Sequence, residues 1–346
     1  MGDKKTKKNN NGSYIKRVFS KKNILIFIGI IALYFLIAFL VENDILNRQY
    51  KSLLVPLGAN IMLAVSLNLV AGFLGELSLG HAGFMALGAF SGAIFTLNVE
   101  LPGVLEFILA ILIGGIVAAI FGLLIGIPVL RLRGDYLAIV TLAFGEIVRS
   151  VINAIQLPNG TDEAGNIVFR KGTMGLSGIE TYSNYTWIYI ATVLTIILCV
   201  NLVNSRHGRV ITAIRDNDIA AESIGIKVGR YKTMAFVIGA FFAGVAGVLN
   251  GHNFTFMKPS DYSYERSIDI LVFVVLGGMG NIKGSVIAAI ILTLLPELLR
   301  PIQEYRMLMY SVLLIAMMIF NNSDLKKRLN DNNKLSKLFG RKKIEE

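Results

Sequence analysis

Long apolar runs separated by short polar stretches dominate this chain. Residues 24–41, 52–72, 104–130, 187–204 and 232–251 each carry a run near the roughly 20 residues a helix needs to cross a bilayer. A soluble fold has no reason to repeat such runs. Segments 77–97, 134–157, 267–278, 284–299 and 304–320 complete a predicted set of ten crossings. The expected fold is all-α, a polytopic integral membrane helix bundle over 23–321, flanked by basic tails at 1–22 and 322–346. Eight full spans with re-entrant or broken helices are the alternative, and they leave both termini on the same side.

Three segments are unusual. SIDILVFVVLGG at 267–278 is too short to span alone and ends in a glycine cluster. Segment 284–299 is also short and would complete a broken pair with it. Segment 77–97 is studded with glycine and alanine. Short, Gly-interrupted segments in two halves of a chain point to discontinuous helices at a transport site. A weak internal echo agrees: Gly72-x-x-Gly75-Glu76-Leu77 against Gly277-x-x-Gly280-Asn281-Ile282. Gly72, Gly75, Gly277, Gly278, Gly280 and Asn281 are therefore candidates for a translocation path. Glycines such as Gly80, Gly83, Gly88, Gly92, Gly114, Gly122 and Gly247 also have a plain packing role, letting helices approach closely.

The polar interruption at 205–231 is too amphipathic for a mere connector. Ile211, Ile214, Ala221 and Ile224 fall on roughly one helical stripe, while Arg215, Asp216, Asn217 and Asp218 crowd another. Gly225 supplies a C-terminal stop. Such a helix suits docking a soluble partner; an ordinary solvated loop is the alternative.

Charge fixes the expected orientation. Only 16% of residues are charged, against about 25% in soluble domains, yet the net charge is +11. Threading ten crossings with both termini cytoplasmic places 25 Lys and Arg inside and eight outside, as the positive-inside rule expects. The basic tails then read as anchors to anionic lipid, not as nucleic-acid arms. No cleavable signal peptide is expected, because the first apolar run is long and follows a long basic tail. The single cysteine, Cys199, sits inside an apolar span, and no Cys/His spacing suggests a metal. No cofactor is expected.

Polar groups inside the spans carry information because burying them in hydrocarbon is costly. Asn68, Ser78 and His81 cluster near the first glycine-rich turn. Asp135, Thr141, Glu146 and Arg149 lie along 134–157. Asn68, Ser78, His81, Thr141 and Glu146 are path candidates, with bonds to broken-helix backbone as the alternative for Asn68 and Ser78. His81 reads as a hydrogen-bonded structural histidine ahead of a proton relay. Glu146 and Arg149 could pair on one helix face as a neutralised brace.

The stretch NLVAGFLGELSLGHAGFMALGAF at 68–90 resembles the signature of branched-chain amino-acid ABC transporter permeases. RLRGDYLAIVTLAFGEIVR at 131–149 resembles the M-type subunit of that pair. Ala213–Gly225 with AFVIGAFFAGVAGVL, and VVLGGMGNIKG at 274–284, are similar to further family segments in the expected order. The resemblance implies a permease domain that pairs with a second, homologous permease. Two cytoplasmic ATP-binding subunits and an extracytoplasmic substrate-binding protein would complete an importer in the bacterial cell membrane. Ala220, Ala221, Glu222 and Gly225 match the coupling-helix motif, with Arg215 and Asp216 flanking it. The chain departs from the family at Glu76, where glutamine is frequent, and at Lys283 and Ser285, where proline-containing turns are. Urea and short-chain amide permeases share much of the pattern.

No GxxxxGK[ST] occurs, so ATP chemistry is expected on partners. A secondary transporter would show similar broken helices but needs no amphipathic docking segment. A membrane enzyme would need converging groups, and His81, His207 and His252 are scattered. The outer segment 158–186, rich in turn residues, reads as a surface loop or a contact for the binding protein.

Overall fold

The computed structural model describes residues 21–43, 47–99, 101–132, 134–161 and 167–299, with the isolated positions 308, 309, 311, 312, 315 and 319. The tails up to residue 20 and from 322, most of the crossing expected at 304–320, and Arg133 lie outside the described residues. The chain divides into two compact units, residues 1–53 and 54–346.

In the first unit, α1 (Lys21–Glu42) covers the crossing expected at 24–41. Leu33, Phe35, Leu36 and Phe39 are all exposed on it. Asn43 ends it, its side-chain amide donating to the Phe39 carbonyl at 2.9 Å.

The second unit is built on helices that break where the apolar pattern is interrupted. Helix α2 (Arg48–Leu67) runs into a π-helical turn at Asn68–Leu74, and the chain is then irregular until α3 (His81–Asn98). Helices α4 (Gly103–Val129), α5 (Asp135–Ala154) and α6 (Tyr185–Asn204) follow. Two short helices, α7 (Arg206–Asp216) and α8 (Asp218–Ser223), lead to α9 (Val228–Gly251). Last come α10 (Tyr264–Gly277) and α11 (Ile282–Leu298), separated by a tight glycine turn. Five helical segments among the described residues are long and apolar enough to cross a membrane: Tyr50–Leu74, α4, α5, α6 and α9. The protein is a helical, multi-pass membrane protein.

Helices α3, α4 and α9 form the centre, and small residues let them touch. A Cβ on Gly88 would collide with the backbone of Gly244, one on Gly247 with the Met85 carbonyl, and one on Gly114 with Val248. Side chains of any size at these positions would force the axes apart. Phe84 fills the adjoining space, its ring 5.0 Å from that of Phe144 and 5.5 Å from that of Phe236.

Two features depart from the sequence reading. The crossing expected at 77–97 begins as helix only at His81, because Gly75–Gly80 is irregular. The turn-rich outer segment 158–186 is not merely a loop: β1 (Gln156–Thr161) and β2 (Ile167–Lys171) form an antiparallel hairpin. Strand β3 (Leu176–Ser177) pairs with β4 (Phe256–Met257), tying this segment to the stretch after α9. The β-branched and aromatic run Ile167–Phe169 favours a strand more than the surrounding turn residues oppose it.

Close packing predicts that Gly247→Leu destabilises the detergent-purified protein by about 1–3 kcal/mol or more, read as a lower melting temperature. A Cβ on Gly229 meets nothing within 4 Å, so Gly229→Ala should leave the melting temperature unchanged or slightly raised.

Candidate coupling and translocation site

The segment between α6 and α9 folds from strong local signals. Ser205 caps α7, its hydroxyl accepting from the Gly208 amide at 3.2 Å. Asn217 interrupts the run with an extended backbone and caps α8, its side-chain oxygen accepting from the Ala220 amide at 2.9 Å. Gly225, at φ +86°, ends α8: its amide bonds Glu222 O at 2.9 Å, and the Ile226 amide bonds Ala221 O at 3.2 Å. That pair of bonds is a Schellman closure around a left-handed residue.

Ile211, Ile214 and Ala221 are buried in a cluster with Leu69, Leu74 and Ala235. The fourth member of the expected stripe is not. Ile224 is 76% exposed, because Asn217 breaks the helix and resets its phase. Ile219 is also exposed, at 65%, beside exposed Ala220, Glu222 and Gly225. The short helix therefore presents an apolar, solvent-facing knob.

Arg215 points the other way. Its guanidinium donates to the Gly72 carbonyl at 2.9 Å and to Asp216 Oδ1 at 3.3 Å. Its aliphatic stem passes so close to Gly75 that a Cβ there would lie 2.6 Å from Arg215 Cγ. Gly280 is also close: a Cβ on it would stand 3.1 Å from Arg215 Nη1. The two halves of the GxxG echo thus meet in space, and the side chain of Arg215 lies between them.

Asn68 joins the same corners. Its side-chain oxygen accepts from the Gly280 amide at 2.8 Å, and its amide donates to Ser285 Oγ at 2.8 Å. Asn281 caps α11 through the Gly284 amide at 3.2 Å, and Gly277 lies against the Gly284–Ser285 backbone. Gly72, Gly75, Asn68, Gly277, Gly278, Gly280 and Asn281 are brought together. Ser78, His81 and Thr141 form a second, fully buried group. Thr141 Oγ1 accepts from the Leu79 amide at 2.9 Å, Ser78 Oγ from the Gly80 amide at 3.5 Å, and His81 Nε2 bonds Ser66 Oγ at 3.1 Å. Glu146 stands apart on α5. It pairs with Arg149 at 2.5 Å and accepts from the Tyr264 amide at 3.0 Å.

Several polar residues escaped the sequence reading as site members. Lys232, read only as an inside charge, forms a buried ion pair with Glu76. Glu76 is thus neutralised where glutamine would need no partner. A cavity of about 370 Å³ opens above that pair, lined also by Arg215, Asp216 and Asp218. Asn60 and Ser267 are buried in apolar segments. The rule that singled out Asn68, a polar group inside an apolar run, would have found both. Among the described residues, no three His, Cys, Asp or Glu side chains are grouped to hold a metal. Away from the apolar spans, Tyr262 is held above the usual phenol range by burial and then by Asp261, and Tyr182 by its bond to Glu180 and then by burial.

Broken apolar helices converging on a water-facing amphipathic segment define a membrane-embedded permease. The profile described as "Branched-chain amino acid transport system / permease component" matches residues 49–321, and the chain belongs to that family. It is 38% identical over 284 residues to the high-affinity branched-chain amino acid transport system permease protein LivM of Escherichia coli, covering 75% of this chain and 66% of the relative. The chain thus spans just under two thirds of that relative's length. It is 25% identical to BraD of Pseudomonas aeruginosa, covering 67% of this chain and 78% of that one. It is 26% identical to the ribose import permease RbsC of Haemophilus influenzae, covering 86% and 91%. No solved structure matches the chain.

Removing one partner of a buried ion pair strands the other charge at a cost of about 3–5 kcal/mol, whereas replacing both can be neutral. Lys232→Met should therefore lower the melting temperature and yield of purified protein sharply. The double variant Glu76→Gln/Lys232→Met should recover most of that loss.

Proposed function

We propose that this chain is a permease subunit of an ABC importer for branched-chain amino acids in a bacterial plasma membrane. Both termini face the cytoplasm, and a second, homologous permease completes the path. Two cytoplasmic ATPases and an extracytoplasmic substrate-binding protein supply the power and the solute. Family membership supports the transport role. The lysine and arginine bias of the loops supports the orientation.

The observation that carries the reading is Arg215. It belongs to the segment that exposes Ile219 and Ile224, and it hydrogen-bonds the first broken-helix corner while abutting the second. ATPase closure would push on the exposed knob. Arg215 would transmit that push to Gly72, and Asn68 would carry it to Gly280 and Ser285. Both corners then move as one rigid piece, switching access to the path from one side to the other. The permease itself performs no ATP chemistry.

Reconstitution separates the two halves of this mechanism. Ile219→Asp/Ile224→Asp should abolish co-purification of the ATPases. Arg215→Ala should leave the ATPases bound and hydrolysing while leucine uptake falls about 10- to 100-fold, the equivalent of a lost charged hydrogen bond of about 1.5–3 kcal/mol. Equal uptake by Arg215→Ala and wild type would remove Arg215 from the transmission path. Uptake of urea in preference to leucine would reassign the solute.

A further inference from the structure

The N-terminal ends of α4 and α6 enclose a cavity of about 280 Å³, close to the roughly 300 Å³ at which small-molecule sites begin. Its walls include Gly103, Phe107, Thr181, Tyr182, Asn184 and Trp187. From this cavity α6 runs 20 residues to the coupling segment, about 30 Å at 1.5 Å per residue. That is the thickness of a bilayer's hydrocarbon core. The cavity therefore lies at the opposite bilayer boundary, the level at which tryptophan and tyrosine gather.

Three aromatic rings line it. Phe107 meets Trp187 edge-on, with centroids 5.6 Å apart, and is tilted against Tyr182 at 5.9 Å. Gly103 lets the Tyr182 ring lie on the first turn of α4, since a Cβ there would stand 3.1 Å from Tyr182 Cε1. Among the described residues no lysine or arginine stands over these rings; Lys258 lies over Phe256 instead. Two carboxylates converge behind the wall. The Tyr182 hydroxyl meets Glu106 Oε2 at 3.5 Å and is also bonded to Glu180. Glu106 is buried and accepts from the Leu101 amide at 3.4 Å. A phenol has one proton to donate, so the two carboxylates outnumber it. Among the described residues neither pairs with a lysine or arginine. Negative ring faces are thus backed by negative charge that the surrounding chain does not neutralise. The other end of the cavity has the opposite character. Asn184 opens α6 without using its side chain as a cap, and the first turn of that helix holds no acidic residue. Its free amides favour an anion.

We propose that this cavity binds the head group of a zwitterionic phospholipid, its ammonium among Phe107, Tyr182 and Trp187 and its phosphate at the Asn184 end of α6. Aromatic cages are the usual receptors for alkylated ammonium groups. A lipid, in preference to a free soluble ammonium ion, is favoured by what adjoins the cavity. Exposed apolar residues four apart run from it toward the coupling segment: Val104, Ile108, Leu112 and Ile116 on α4, and Ile190, Leu194 and Leu198 on α6. Acyl chains attached to a head group in the cavity lie along these ridges. The lipid clasps the ends of α4 and α6 together, and the site does not depend on which solute the permease carries.

Trp187 is the single tryptophan of the chain, so its fluorescence reads the cavity directly. The full chain in dodecylmaltoside micelles is titrated with dihexanoylphosphatidylcholine, dihexanoylphosphatidylglycerol and tetramethylammonium chloride. The choline lipid should shift the emission saturably, at a concentration about tenfold below that needed of either other probe. Thr181→Phe, at an exposed position of the lining, should abolish the shift and leave the melting temperature unchanged. Tyr182→Leu should weaken binding about fivefold or more; if that variant does not fold, Thr181→Phe decides. Asn184→Leu should weaken binding of the choline lipid and leave that of tetramethylammonium unaltered. Equal responses to the choline and glycerol lipids would mean non-specific insertion and overturn the site. Tetramethylammonium binding as tightly as the lipid would assign the cavity to a soluble cation and overturn the lipid. A shift that survives Thr181→Phe would place the lipid elsewhere, and no shift at all would equally sink the proposal.

Discussion

A helix that breaks inside a membrane frees backbone amides and carbonyls that have no water to turn to, and each must find a partner within the protein. The architecture of this chain follows from meeting that demand at two places, Gly72–Gly80 and Gly277–Asn281. Arg215 satisfies the Gly72 carbonyl, Asn68 the Gly280 amide, Thr141 the Leu79 amide, and Ser267 the Ala82 amide at the start of α3. None of these partners is local to the break it serves. The two corners are consequently stitched to each other, and the amphipathic segment is hydrogen-bonded to the first and packed against the second.

The same demand explains which parts of the chain were legible beforehand. Apolar runs located the spans, because hydrophobic thickness sets their length without reference to neighbours. The α8 terminus at Gly225 was readable because a left-handed stop is a local requirement. The convergence of the two glycine echoes was suggested by their likeness, but their meeting at Arg215 was not, since a side chain's direction depends on tertiary packing. Ile224 misled for a related reason. The stripe assumed one continuous helix, and the cap at Asn217 starts a new one.

Charged groups were the least legible. Lys232 counted as one more inside cation until Glu76 was found against it, a pairing 156 positions apart in sequence. Arg266 counted as an outside cation until Asn60 placed it within the bundle. In each case the sequence records a charge and conceals the partner that makes burial tolerable. Neither residue stands in a pattern with a local period, so periodicity arguments pass over both.

The bonds from Asn68 to Gly280 and Ser285 have a consequence for biosynthesis. Asn68 enters the membrane more than 200 residues before its partners exist. At translation rates of about 5–20 residues per second, that interval lasts roughly ten to forty seconds. During it Asn68 carries an unsatisfied amide in the bilayer, so the nascent chain must be sheltered by the insertion machinery or by transient water until its distant half arrives.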